Sequence, residues 1–151
     1  MSWRKTSKST FDLLDASVLV SLAAPDHQHH RRVRLYWDQQ AAAHVGFCRV
    51  TALAFLRHLT NPLIMQSAVL TTKRAWEELE RWLAMPEVVF FEEPSGLHEV
   101  LGSFAATLTL GQASWTDAYL AAFCISEGCR MVSFDGGFRR FAGLDLLELK
   151  A

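Results

Sequence analysis

The chain has 151 residues, half of them hydrophobic and 21% charged, with a formal net charge of −1. That length and composition describe one ordinary globular domain with enough apolar material for its own core. The near-zero charge excludes a molecule-wide basic field of the kind that attracts nucleic acid non-specifically, though not a local basic patch.

MSWRKTSKST is polar and basic and reads as a flexible N-terminal arm over residues 1–10, ahead of one domain over 11–151. Arg4, Lys5 and Lys8 precede an apolar stretch ending in VSLAAPD, which loosely resembles a secretory signal. Asp12 and Asp15 interrupt that stretch, and no run approaches the roughly 20 apolar residues of a membrane span. The expectation is a cytoplasmic protein with no membrane contact. Cys48, Cys124 and Cys129, odd in number and irregularly spaced, form neither a disulfide framework nor a zinc motif and read as thiols of a reducing compartment.

FDLLD reads as a short buried strand, and SVLVSLAA as a short helix begun at the Asp15/Ser17 turn. After the break PDHQHH, a helix is expected from about His27 to Ala43, with Val33, Tyr36 and Trp37 on one face. HVGFC is a second strand, and VTALAFLRHLT a helix stopped by Asn61-Pro62. TTKRAWEELERWLAM is strongly amphipathic, with Trp76, Leu79, Trp82 and Leu83 expected on one face as core or interface residues. EVVFFEE reads as a third strand buried on both faces, and SGLHEVLGSFAATLTL as a helix. SWTDAYLAAFCISEG is a helix that Ser114 and Asp117 open in a capping pattern and Gly128 closes. CRMVSFD and LDLLEL complete the strands. Strands alternating with helices predict an α/β fold, a parallel sheet flanked by helices, whose functional groups gather at the carboxyl ends of the strands.

Asp15 ends the first predicted strand, Asp135 ends the fourth, and Asp117 opens the helix leading into the fourth. Singly, each has an ordinary explanation: a helix cap, an acid complementing a helix dipole, and the first residue of a D-G-G turn. Together at one sheet edge they repel one another unless a cation neutralises them. Oxygen-only ligands suit Mg²⁺ or Mn²⁺, and a water on such an ion is a nucleophile for phosphodiester hydrolysis.

DLLDASVLVSL, WTDAYLAAFC and MVSFDGGFRRF, in this order, resemble the PIN-domain ribonucleases, and most closely the VapC-type toxins of bacterial toxin–antitoxin pairs. The resemblance runs from about residue 11 to the end of the chain. It implies an α/β/α sandwich with a short, mainly parallel sheet of 4–5 strands. It also implies an Mg²⁺- or Mn²⁺-dependent endoribonuclease, a cognate antitoxin that blocks its site, and a homodimer. Asp15 and Asp117 match the family's metal-binding aspartates, and Asp135 its final acid. Ser17 and Ser133 stand where supporting hydroxyl residues lie, and Arg57 resembles an arginine common after the second strand.

One departure stands out. The family often carries a glutamate in the segment aligned with VTALAFLR, where the matching position is Ala52, and no acid occurs between Gln39 and Glu77. Glu99 is a candidate substitute. The gap admits an alternative reading, a catalytically weakened domain that binds RNA or antitoxin without cutting. A third reading, phosphatase chemistry of the haloacid-dehalogenase kind, wants a second acid two residues after the first, where this chain has Ser17. His27, His29 and His30 do not form a closed zinc pattern and read as surface or helix-start residues. Arg31, Arg32 and Arg34 read as a solvated face, and Arg139 and Arg140, just after Asp135, as the better candidates for RNA phosphates.

Overall fold

In a computed structural model, the structure describes residues 10–151, so the expected arm over residues 1–10 lies, apart from Thr10, outside the described residues. Five strands form one sheet: β1 (Phe11–Leu14), β2 (His44–Phe47), β3 (Val88–Phe90), β4 (Arg130–Ser133) and β5 (Leu146–Glu148). Their order is β3-β2-β1-β4-β5, and all four pairings are parallel. Seven helices connect them: α1 (Ala16–Ala23), α2 (His30–Gln39), α3 (Arg49–Leu59), α4 (Pro62–Met65), α5 (Thr72–Leu83), α6 (Leu97–Thr107) and α7 (Ser114–Glu127).

The period-two alternation of the strands sorts their side chains into two cores. Leu14 and Val132 face one core with Val18, Tyr36, Phe55 and Leu79, from α1, α2, α3 and α5. Leu13 and Met131 face the other with Phe104, Ala121 and Phe123, from α6 and α7. The result is a three-layer α/β/α arrangement. Gly46 in β2 has no room for a side chain, because the Phe91 ring and the Val89 carbonyl press against its Cα. Cys48, Cys124 and Cys129 are buried free thiols. Among the described residues, no helix is long and apolar enough to cross a membrane.

Several boundaries differ from the sequence expectation. The helix expected from His27 begins at His30, because His27 and His29 are spent on the preceding turn, where the His29 amide donates to His27 Nδ1 at 3.1 Å. Asn61-Pro62 does stop α3, but it also starts α4: Asn61 Oδ1 accepts from the Leu63 amide at 3.0 Å, with proline at the first helical position. Ser114 does not cap α7. The cap is Ala113, without a side-chain bond, and Ser114 is already helical. β3 is an edge strand with only Val88 buried, so its apolar run is not covered on both faces. On α5, Leu79 is buried and Trp82 meets Trp37 edge-on at 5.7 Å, whereas Trp76 is half exposed and leaves the expected face.

The first acid of DLLD, Asp12, is fully buried. It accepts from Tyr36 Oη at 2.6 Å, the Ala42 amide at 2.9 Å, and Arg130 Nε and Nη2 at 2.8 and 2.9 Å. Arg130 Nη2 also donates to the Gln40 carbonyl at 2.8 Å. A buried charge so fully bonded ties β1, β4 and the α2–β2 connection together at the amino-terminal half of the sheet. Burial and the nearby Asp12 carboxylate push the Tyr36 phenol far up, so it stays a donor.

Candidate active site

The strand order makes β1 and β4 the place where the chain reverses direction across the sheet. β1 runs on through β2 to β3 on one side, and β4 and β5 lie on the other. In parallel sheets the crevice at the carboxyl ends of such strands is where ligands sit. Leu14 and Val132 are register partners, so the next residues along, Asp15 and Ser133, meet at that end. The Asp15 amide still donates to the Val132 carbonyl at 3.0 Å, which fixes the backbone before the chain turns into α1.

Asp15 then caps α1. Its Oδ1 accepts from the Ala16 amide at 2.8 Å, and its Oδ2 accepts from Ser133 Oγ at 2.7 Å. Ser133 is fully buried, and its Oγ also accepts from the Asp135 amide at 3.0 Å. One hydroxyl thus joins two of the expected acids. Asp135 lies two residues past β4 and caps a 3-10 turn over Gly136–Arg140, its Oδ1 accepting from the Gly137 amide at 2.8 Å. Asp117 lies in the first turn of α7, where the helix dipole favours an anion.

The three carboxylates act on one another. Burial raises the Asp15 carboxyl, and repulsion from Asp135 raises it further, against the Ser133 and Ala16 hydrogen bonds and His58, which lower it. Burial also raises Asp117, with Asp135 and Asp15 adding to the rise and Arg140 opposing it. Destabilised, mutually repelling carboxylates at one sheet edge form an acceptor group that a cation would relieve. Among the described residues, no three His, Cys, Asp or Glu side chains are gathered closely enough to hold one ion. The donors that are present, carboxylate oxygens alone, are of the kind that suits a hard cation taking one or two carboxylates and keeping most of its water, as Mg²⁺ does.

The other expected site residues are distributed unevenly. Ser17 is exposed on α1, and only its carbonyl is engaged, by Ser21 Oγ at 2.7 Å, so it does not join the acids. Arg57 is exposed at the end of α3 and acts on His58 rather than on a carboxylate. Arg139 is bound to Glu148 of β5, with Nη2 at 2.7 and 2.9 Å from the two carboxylate oxygens. That pair packs against Gly136, leaving no space for a side chain there. Arg140 turns the other way, its Nη2 3.9 Å from Asp117 Oδ2. Glu99 is exposed in the first turn of α6 and is not among the groups acting on Asp15 or Asp117.

Ala52 is fully buried beside Phe55 and Leu59 in the apolar core. An acidic side chain at that position would leave the backbone within apolar packing. The polar residue of α3 that feels Asp15 is His58: burial lowers its imidazole, with Arg57 adding to this and Asp15 opposing it. The sequence reading passed over His58, whose one signal was a polar pair, Arg57-His58, closing an otherwise apolar helix. Among the described residues, His27 and His29 join no group of side chains that could hold a metal. The His29 ring stacks on Phe134, between Ser133 and Asp135, at 4.7 Å, which docks the PDHQHH turn against the site.

The PIN domain family profile matches residues 13–144. Ribonuclease VapC41 of Mycobacterium tuberculosis is 34% identical over 139 residues, covering 89% of this chain and 95% of that protein. Ribonuclease VapC38 of the same organism is 30% identical over 131 residues, covering 83% and 85%. Among solved structures, VapBC-1 from nontypeable Haemophilus influenzae superimposes with a TM-score of 0.68 at 12% identity, covering 91% of this chain and 97% of that one. Mycobacterium tuberculosis VapC20, described as a sarcin–ricin loop cleaving toxin, superimposes with a TM-score of 0.62 at 15% identity, covering 89% and 98%.

Proposed function

The chain belongs to the PIN domain family, and from that premise we propose that it is a metal-dependent endoribonuclease, the toxin of a toxin–antitoxin pair. The observation that carries the proposal is the Asp15, Asp117 and Asp135 group at the β1–β4 edge, in which burial and mutual repulsion raise Asp15 and Asp117. The relatives named as VapC ribonucleases support the RNA substrate, and the likeness to chains solved as VapBC supports an antitoxin partner. Pairing with a second copy and residence in the cytoplasm, where buried free thiols persist, belong to the same proposal.

In this reading Asp15 and Asp117 would hold Mg²⁺ or Mn²⁺, which would supply an activated water and stabilise charge on the phosphate. The chain's own residues prepare the place. Ser133 holds Asp15 Oδ2 and the Asp135 amide, fixing the separation of two acids. The Ala16 amide holds the other oxygen of Asp15, and each oxygen keeps a further lone pair for a ligand. Asp135, exposed at its turn, accepts a proton from water. Arg140 and the exposed Arg57 are the cations available to RNA phosphates.

The lack of any acid on α3 favours a second reading, a domain that binds RNA or antitoxin without cutting. One experiment separates the two. The purified chain is incubated with end-labelled structured RNA in Mn²⁺, Mg²⁺ or EDTA, beside Asp15→Asn and Asp117→Asn. Cleavage that needs the cation and disappears in both variants supports the nuclease. Equal cleavage by Asp15→Asn overturns the site assignment, and cation-independent RNA binding without cleavage favours the second reading.

A further inference from the structure

Arg139 and Arg140 are adjacent, yet the 3-10 turn directs them to different partners. Arg139 makes a close two-point contact with Glu148. Arg140 lies 3.9 Å from Asp117, within ion-pair range but beyond hydrogen-bond distance. Its guanidinium rests over the Phe141 ring, 4.9 Å from the centroid, and Phe141 itself is buried. The ring therefore keeps the cation beside Asp117 without a directional bond to it.

Arg140 is also the cation among the groups that act on Asp117, the others being Asp135 and Asp15. Its side chain is 37% exposed and that of Asp117 28%. An ion pair so open to water is weak and readily exchanged. A divalent cation on Asp117 would repel the guanidinium, whose fork of five donors is suited to a phosphate.

We propose that Arg140 is an internal counter-ion of the acidic site, which leaves Asp117 for an RNA phosphate when a divalent cation binds. The inference rests on the metal-dependent reading of the site. Metal and Arg140 compete for Asp117, while Asp117 and phosphate compete for Arg140. By linkage, the cation must raise RNA affinity and RNA must raise cation affinity, with Arg140 carrying part of that coupling. Without RNA, Arg140 opposes metal binding; with RNA, it no longer does.

The test is calorimetric titration of Mn²⁺ into the wild type, Arg140→Gln, Arg140→Lys and Asp117→Asn without RNA. It is joined to binding of a fluorescein-labelled, mixed-sequence 2′-O-methyl RNA oligonucleotide with and without Mn²⁺. Arg140→Gln is expected to bind Mn²⁺ roughly two- to fivefold more tightly, the fold-change that an exposed ion pair can supply. It is expected to bind the oligonucleotide more weakly and to gain less from added Mn²⁺, and Arg140→Lys to fall near the wild type in Mn²⁺ affinity. Mn²⁺ binding that is lost in Asp117→Asn but unchanged or weaker in Arg140→Gln overturns the exchange alone. Absence of Mn²⁺ binding in every protein overturns the metal reading and the exchange with it.

Discussion

Ser133 Oγ donates to Asp15 Oδ2 at 2.7 Å across the seam between two parallel strands, and the same oxygen accepts from the Asp135 amide at 3.0 Å. The register explains why a hydroxyl residue stands there. Leu14 opposes Val132, so Ser133 is the next side chain along β4, level with Asp15. The hydroxyl stabilises the charged form of a buried carboxylate and sets where the last acid begins its turn.

Replacing Ser133 with alanine removes both bonds and leaves the strand otherwise intact. A hydrogen bond to a charged group contributes about 1.5–3 kcal/mol, so cleavage is expected to fall about tenfold or more. The Asp15 carboxyl loses a partner that lowers it. The acid limb of the pH–rate profile therefore moves to higher pH. Rates measured from pH 5 to 8 check this, and an unmoved limb with unchanged rate would show that Ser133 serves packing alone.

Asp15 and Asp117 also give stability a pH dependence with a definite sign. Both are raised in the folded chain. Between the ordinary carboxylate value and the raised one, the folded state binds more protons than the unfolded, so stability falls as pH rises through that interval. Asp15→Asn carries no such charge and relieves its repulsion of Asp117. It is expected to melt a few degrees above the wild type at pH 7, with the gap closing near pH 4. Mn²⁺ should raise the wild-type melting temperature and leave Asp15→Asn unmoved. Melting curves at the two pH values that show a constant gap would contradict this.

Arg139 is expected to brace the Asp135 turn rather than to contact RNA. Its Nε and Nη2 are engaged by Glu148, whose side chain is 15% exposed. Arg139→Ala and Glu148→Ala are therefore expected to reduce cleavage by similar factors, roughly three- to tenfold, and the double variant by no more than either alone. Neither should change the salt dependence of RNA binding, whereas Arg140→Gln should flatten it by about one phosphate contact. Additive losses, or a flattened slope in Arg139→Ala, would return Arg139 to the RNA surface.

The strands and most helices were legible because apolar runs of strand length alternate with amphipathic segments and are separated by Pro, Gly and Asn. The three acids were legible as a group because parallel topology delivers strand ends to one edge. What was hidden depends on partners far away in sequence. Asp12 and Asp15 look alike in DLLD, yet Asp12 is a structural anchor only because Tyr36, Ala42 and Arg130 converge on it. Arg139 and Arg140 are identical in type, and only their partners, Glu148 of β5 and Asp117 of α7, tell them apart. Ser114 looked like a cap because its spacing to Asp117 is right, but the chain enters the helix one residue earlier.

The missing glutamate gives a decisive substitution. The pattern puts it at Ala52, which has no exposure and belongs to the cluster of Phe55 and Leu59. Ala52→Glu would bury a charge without a partner and is expected to cost about 3–5 kcal/mol, seen as a lower urea midpoint with no gain in Mn²⁺ affinity. Ala54 is half-buried, one turn before His58 and on the same side of α3. His58 is the α3 residue whose charge Asp15 feels, so Ala54→Glu points its carboxylate toward that side of the site. It should keep near-native stability and bind Mn²⁺ more tightly than the wild type. Were Ala52→Glu instead stable and tighter in Mn²⁺ binding, the α3 face presented to the acids would have to be reassigned.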